Sequence, residues 1–354
     1  NWSTKIKRVI MKHKEELIRN ANLMVAKGKG ILAADESTPT CTKRFRSIGV
    51  DSTEVKRNEY RDMLLTTPNM EEYISGVIFY DETLRQSTLN DNTPFIKHLL
   101  DKGVIPGIKV DMGAKLLSGH EDEKVTEGLD GLRERLAEYY EMGARFAKWR
   151  AVITIGDGIP TQACYEANAH ALARYASLCQ EAGIVPIVEP EVLMDGTHTI
   201  DQCFEVTVTA QKEVFKQLAT QDVMLEGIVL KPNMVVSGTE CPQQASIEEV
   251  ATRTIECLKS TVPATVPGVA FLSGGQSSED ATAHLNMMNV KFGDDIPWNL
   301  TYSYGRALQQ SALNTWLGET SNVLAAQEAF FQRAKLNGLA SKGEYSESME
   351  GVAV

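Results

Sequence analysis

The sequence predicts an α/β fold, a closed (β/α)8 or TIM barrel. Three observations carry that expectation. Eight short apolar segments recur along the chain, and helical patterns lie between them. No low-complexity linker divides the 354 residues. That length suits one large barrel.

The strand segments, in order, are 31–35 (ILAAD), 75–80 (SGVIFY), 106–110 (PGIKV), 144–150 (ARFAKWR), 185–192 (VPIVEPEV), 226–231 (EGIVLK), 268–273 (GVAFLS) and 299–304 (NLTYSY). Short apolar runs bounded by glycine, proline or a charge fit strands buried on both faces. Helices are expected at 128–143, where Leu129, Leu132, Leu136 and Tyr140 follow the i, i+3, i+4 spacing, and at the alanine-rich 161–183. Two more follow at 246–260, opened by the capping-box spacing of Ser246 and Glu249, and at 321–337. The alternative is an open, doubly wound sheet, which usually brings a glycine-rich turn directly after its first strand. Here GKG (28–30) precedes the strand, and no GxxxxGK[ST] occurs. The whole chain, 1–354, then reads as one barrel domain with an N-terminal helix, a C-terminal helix and a short tail.

Composition narrows the function. The net charge is -11, against general nucleic-acid binding, which wants a basic face. No apolar run reaches the ~18 residues of a membrane span. Segment 6–24 (IKRVIMKHKEELIRNANLM) is amphipathic, but Glu15 and Glu16 speak against a transit peptide, and it is expected as a surface helix. The chain opens at Asn1 rather than at a methionine, so a trimmed start is expected. Six cysteines stand singly with no CxxC, as suits reduced thiols in a cytoplasmic protein. Six histidines stand far apart with no HxH or HExxH, so no metal site has local support, and no cofactor is expected.

A barrel gathers its chemistry at the C-terminal ends of its strands. There the sequence places Asp35 and Ser37, Lys109 and Asp111, Lys148 and Arg150, Glu189 and Glu191, Lys231, Ser273 and Gly274, and Gly305 and Arg306. Residues two apart on a strand share a face. That aligns Lys148 with Arg150 and Glu189 with Glu191. Taken singly, a strand-end lysine is more often a solvated rim charge and two spaced glutamates a polar strand face. Their coincidence at one end of an apolar barrel is harder to explain structurally. A buried lysine near another cation loses its proton more readily, and its free amine can attack a carbonyl to form a Schiff base, with carboxylates nearby to carry protons. Lys231 is the expected nucleophile, with Lys148 as the rival.

The substrate should be an anion. The loop after the seventh strand offers Ser273, Gly274 and backbone N–H groups, and the loop after the eighth offers Gly305 and Arg306, a place where barrels bind phosphate. The plainer alternative is a turn and a surface charge. Lys43 and Arg44, with Lys109, form a second cationic cluster and suggest a second phosphate.

Together GKGILAADES (28–37), GLDGL (128–132), ARFAKWRAV (144–152), VPIVEPE (185–191), EGIVLKPNMV (226–235), FLSGGQS (271–277) and SYGRALQ (303–309) resemble class I fructose-1,6-bisphosphate aldolase, from about residue 15 to 345. The resemblance implies a metal-independent carbon–carbon lyase of glycolysis. It would split fructose 1,6-bisphosphate reversibly into dihydroxyacetone phosphate and glyceraldehyde 3-phosphate, working as a cytoplasmic homotetramer. It implies Lys231 as the imine-forming residue, Glu189 as general acid/base and Glu191 as its orienting partner. Asp35 and Lys148 would assist proton transfer and bond cleavage, with Arg150 at the mouth. Ser273, Gly274, Gly305 and Arg306 would hold the phosphate next to the ketone, and Ser37, Thr40, Lys43, Arg44 and Lys109 the distal one.

The chain departs from the family pattern in two places. Pro39 stands where glycine is usual, and Thr40 where serine is usual. The family also ends in a mobile tail closing on a tyrosine, whereas this chain ends SMEGVAV. Tyr345 lies where that tail begins and is not assigned its role, so slower turnover than a tailed relative is expected, with imine formation retained. A competing function is a non-catalytic scaffold binding actin or acidic receptor tails at the cationic mouth. A third, a transaldolase-like Schiff-base barrel, explains Lys231 but not two phosphate clusters.

Overall fold

The computed structural model describes the backbone of residues 2–351 and the side chains of residues 13–351. The expected trimmed start at residue 1 and the end of the tail, 352–354, lie outside the described residues.

Eight strands close into a barrel: β1 (Gly30–Ala34), β2 (Ile74–Phe79), β3 (Ile105–Lys109), β4 (Phe146–Ile153), β5 (Val185–Val192), β6 (Val229–Leu230), β7 (Gly268–Phe271) and β8 (Asn299–Tyr304). Each strand pairs in parallel with its sequence neighbours, and β1 closes on β8. The TIM barrel is thus observed, and the open-sheet alternative is not.

Alternation along the strands sorts the side chains. Ile31, Ala33, Ile78, Phe146, Ile187, Val229 and Ala270 fill the interior as one apolar cluster. Leu32, Phe79, Trp149, Val188 and Tyr302 belong to the larger layer outside the barrel. The ring of Phe146 needs room across the interior. A Cβ on Gly107 would lie 2.3 Å from it, and one on Gly76 2.9 Å. These two strand glycines are there for close approach.

Helices α1 (Trp2–Met24), α2 (Thr38–Arg46), α3 (Glu54–Leu65), α4 (Asp81–Leu84), α5 (Phe95–Asp101), α6 (Leu132–Met142), α7 (Gln162–Glu181), α8 (Ile200–Thr220), α9 (Ile247–Thr261), α10 (Ser278–Phe292), α11 (Arg306–Trp316) and α12 (Val323–Ala340) surround the barrel. The four helices expected from the sequence are α6, α7, α9 and α12. The first begins late, because Gly131 caps it at φ 67. At α9 the Ser246 side chain accepts the Glu249 N–H, as expected, while a reciprocal capping box is complete at Thr199 and Gln202 of α8. The amphipathic helix expected at 6–24 is α1, and over 13–24 it buries one face and exposes the other. Its Leu17, Ala21 and Met24 join the interior cluster and close the N-terminal end of the barrel. All six cysteines are buried and unpaired.

Two strand boundaries matter for the site. β4 runs on to Ile153 rather than ending at 150, so Lys148 lies mid-strand. β6 is far shorter than 226–231: Leu225–Gly227 forms a 3-10 turn, and Pro232 offers no N–H to extend the ladder. Beyond it the Asn233 side-chain oxygen, rather than a backbone carbonyl of β6, accepts the Val192 N–H at 2.9 Å. Lys231, whose N–H still bonds Val188 O at 2.8 Å, therefore stands one residue past the strand.

Candidate active site

The C-terminal ends of the strands surround a cavity of about 390 Å³. Inward positions on β5 are Val185, Ile187, Glu189 and Glu191, since alternate residues face one way. The first two are apolar and close the core, and the last two carry the carboxylates into the cavity. The same logic places Lys148 directly above Phe146 on β4, and Asp35 above Ala33 at the end of β1.

At the centre, Glu189 lies between two lysines. Its Oε1 is 3.4 Å from Lys231 Nζ, and its Oε2 is 3.6 Å from Lys148 Nζ. That Oε2 is buried and accepts no hydrogen bond. Lys148 Nζ also pairs with Asp35 Oδ2 at 2.8 Å. All four residues are at least nine-tenths buried. Burial pushes the Asp35 carboxyl up, but the Lys148 and Lys231 cations outweigh it and hold it down at about 2. Burial acts against the Lys148 ammonium, yet Asp35 and Glu189 outweigh it and hold it well above the ordinary lysine range. Lys148 is therefore a fixed cation at neutral pH. Lys148 thus has two carboxylate neighbours, Asp35 and Glu189, and Lys231 has one, Glu189.

Around this centre the cations rest on internal partners. Arg150 Nε donates to Glu191 Oε2, and Arg44 to Glu36 Oε1. Lys109 Nζ donates to the side chain and the carbonyl of Asp111, each at 2.8 Å. Arg306 donates to Gly274 O at 2.6 Å. Ser37 and Thr40 hydroxyls lie 3.1 Å apart at the start of α2. Pro39 falls in the first turn of that helix, where a missing N–H costs nothing. The start of α2 thus accommodates Pro39.

Every expected site residue lines the cavity except Lys43, which is exposed on α2. Glu36 and Asp111, strand-end residues given no role from the sequence, also line it, as does Ser303, which the sequence did not single out, with Arg61 behind them. Arg61 is buried and pairs with Glu36 Oε2 at 2.8 Å, so Glu36 bridges a core arginine and a cavity arginine. Asp111 was legible, two residues beyond Lys109 on the same face. Arg61, inside a helix pattern, gave no signal. Among the described residues, no group of three or more His, Cys, Asp and Glu is arranged to hold a metal ion.

Comparison with known proteins decides the family. The family model for glycolytic class-I fructose-bisphosphate aldolase matches residues 16–354. A probable class 1 fructose-bisphosphate aldolase of Xanthomonas campestris is 58% identical over 332 residues, covering 94% of this chain and 98% of the relative. The cytosolic fructose-bisphosphate aldolase 5 of Arabidopsis thaliana is 51% identical, covering 96% and 94%. The chain belongs to the class-I fructose-bisphosphate aldolase family. A solved aldolase from Plasmodium falciparum, in complex with TRAP and a small-molecule inhibitor, superposes with a TM-score of 0.92 at 48% identity, covering 95% of this chain and 96% of that one. The chain is thus an aldolase, a carbon–carbon lyase of glycolysis, on a TIM barrel. Among the described residues no helix is long and apolar enough to cross a membrane.

Proposed function

We propose that this aldolase cleaves fructose 1,6-bisphosphate through an imine on Lys231, with Glu189 moving the protons. The observation that carries the reading is the buried Glu189 carboxylate set between Lys231 and Lys148 at the cavity floor. The Lys231 amine attacks the C2 carbonyl of the open-chain sugar. Glu189 delivers a proton to the departing hydroxyl, and water leaves. The cationic imine draws electrons, Glu189 takes the C4 hydroxyl proton, and the C3–C4 pair moves onto C3 as the enamine forms. Glyceraldehyde 3-phosphate leaves. Protonation at C3 and hydrolysis then free dihydroxyacetone phosphate. Asp35 keeps Lys148 charged beside the breaking bond, and Glu191 steers Arg150 at the mouth.

Ser273, Gly274, Gly305 and Arg306 take the phosphate near the ketone. Ser37, Thr40, Arg44 and Lys109 take the distal one, with exposed Lys43 entering only if its side chain swings inward. Two anchored phosphates place the reacting atoms and supply much of the rate. A cytoplasmic location and homotetrameric assembly go with this reading, and sedimentation checks the latter. Binding of actin or an acidic peptide at the same mouth is a secondary role, tested by its displacement with fructose 1,6-bisphosphate.

The deciding experiment is borohydride reduction with dihydroxyacetone phosphate, followed by peptide mass mapping. The adduct is expected on Lys231. An adduct on Lys148 overturns the assignment of nucleophile, and no adduct on folded protein overturns the imine route.

A further inference from the structure

The backbone N–H of Gly275, in the anion cradle after β7, is already engaged within the protein. The Gly275 N–H donates to the thioether of Met194, with N and Sδ 2.9 Å apart. A Cβ built on Gly274 would lie 3.3 Å from the same sulfur, and one on Gly275 3.2 Å. The sulfur therefore rests over both glycines. Its backbone is held from two sides: the Leu193 N–H donates to Ile153 O at 2.9 Å, and the Thr239 N–H to Met194 O at 2.8 Å. On the cradle's other flank Arg306 rests on Gly274 O. Nothing in the chemistry of Lys231 requires a methionine here.

We propose that Met194 is a thioether latch on the phosphate cradle, occupying the Gly275 N–H until a phosphate displaces it. This rests on the reading that the loops after β7 and β8 hold phosphate. A thioether is a weak acceptor, whereas a phosphate oxygen is charged and accepts strongly. The ligand therefore wins the N–H, but only after breaking the contact with the Met194 sulfur. Methionine suits the task because its three rotatable bonds let the sulfur swing aside while its backbone stays fixed. The latch weakens binding of every phosphorylated ligand at this cradle alike, so it sets KM and leaves selectivity among those ligands to other residues.

Met194→Leu fills nearly the same volume without an acceptor, a swap that partly exposed positions tolerate. Inorganic phosphate is titrated calorimetrically into full-length wild type, Met194→Leu and Arg306→Ala. The leucine variant is expected to bind phosphate ~2- to 5-fold tighter, the worth of one weak hydrogen bond. The KM for fructose 1,6-bisphosphate should fall by the same factor. Met194→Gln, carrying a stronger acceptor on a similar stem, should weaken phosphate instead. Phosphate affinity unchanged in Arg306→Ala overturns the cradle and the latch with it. Affinity lost in Arg306→Ala but equal in wild type and Met194→Leu overturns the latch alone.

Discussion

Replacing Asp35 by asparagine removes one charge from the buried centre and keeps an oxygen in place. Lys148, 2.8 Å away, then depends on Glu189 at 3.6 Å. The Asp35 carboxyl is held at about 2 in the folded protein, against an ordinary 3.8. At about 1.4 kcal/mol per unit, that difference is worth about 2 kcal/mol at pH 7. The sign follows from the direction of the shift. A depressed carboxyl stabilises the fold fully above its unfolded value near 3.8, and the contribution fades as pH falls through about 2. Urea unfolding of wild type and Asp35→Asn should therefore differ by about 2 kcal/mol at pH 7, and by roughly half of that at pH 3. On the proposed cycle, turnover should drop ~100-fold, because Lys148 loses its partner, while borohydride trapping at Lys231 persists. A gap that stays constant from pH 7 to 3, or is absent throughout, would refute the argument.

Glu189→Gln should lower kcat ~10²- to 10⁴-fold, the usual worth of a positioned acid/base, and slow imine formation in stopped-flow trapping. Gly107→Ala drives a methyl to 2.3 Å from the Phe146 ring, so a loss of ~1–3 kcal/mol by chemical denaturation is expected. Arg61→Met leaves Glu36 buried with Arg44 as its remaining guanidinium partner. The expected cost is ~3–5 kcal/mol, read as a lower thermal midpoint, together with a raised KM for the bisphosphate.

The barrel was legible because each strand is a short apolar run, and the repeat of such runs survives errors in any one boundary. The boundaries failed where local composition misled. EGIVLKP reads as a full strand, yet Pro232 cannot donate and β6 stops at Leu230. The fourth strand, ARFAKWR (144–150), reads as ending at Arg150, yet Ala151, Val152 and Ile153 continue β4. The site residues were legible wherever charge interrupts an apolar strand, as at Lys148, Glu189 and Lys231. What stayed hidden were partners supplied across the fold. Arg61 comes from α3 and meets Glu36 only because α3 packs beside the end of β1. Met194 and Asn233 look like ordinary loop residues until the loops after β5, β6 and β7 are brought together.

The charges lining the cavity nearly cancel. Six basic side chains, Arg44, Lys109, Lys148, Arg150, Lys231 and Arg306, face five acidic ones, Asp35, Glu36, Asp111, Glu189 and Glu191. A bisphosphate is therefore not drawn in by a large net positive charge within the site. It must take over cations that are already engaged, and the ease of doing so differs from one to the next. Arg44, Lys109, Lys148, Arg150 and Lys231 each lie near a carboxylate. Arg306, among the described residues, rests on a carbonyl alone. Exchanging a neutral acceptor for a charged one gains the most, so Arg306 should be the first cation to capture a phosphate. Arg306→Ala should then raise KM about 10- to 100-fold, the range of one charged hydrogen bond, for dihydroxyacetone phosphate and fructose 1,6-bisphosphate alike. Arg44→Ala should affect the bisphosphate more than the triose phosphate. An Arg306→Ala enzyme whose KM for dihydroxyacetone phosphate is unchanged would place first capture elsewhere, at the lysines and arginines still paired to carboxylates.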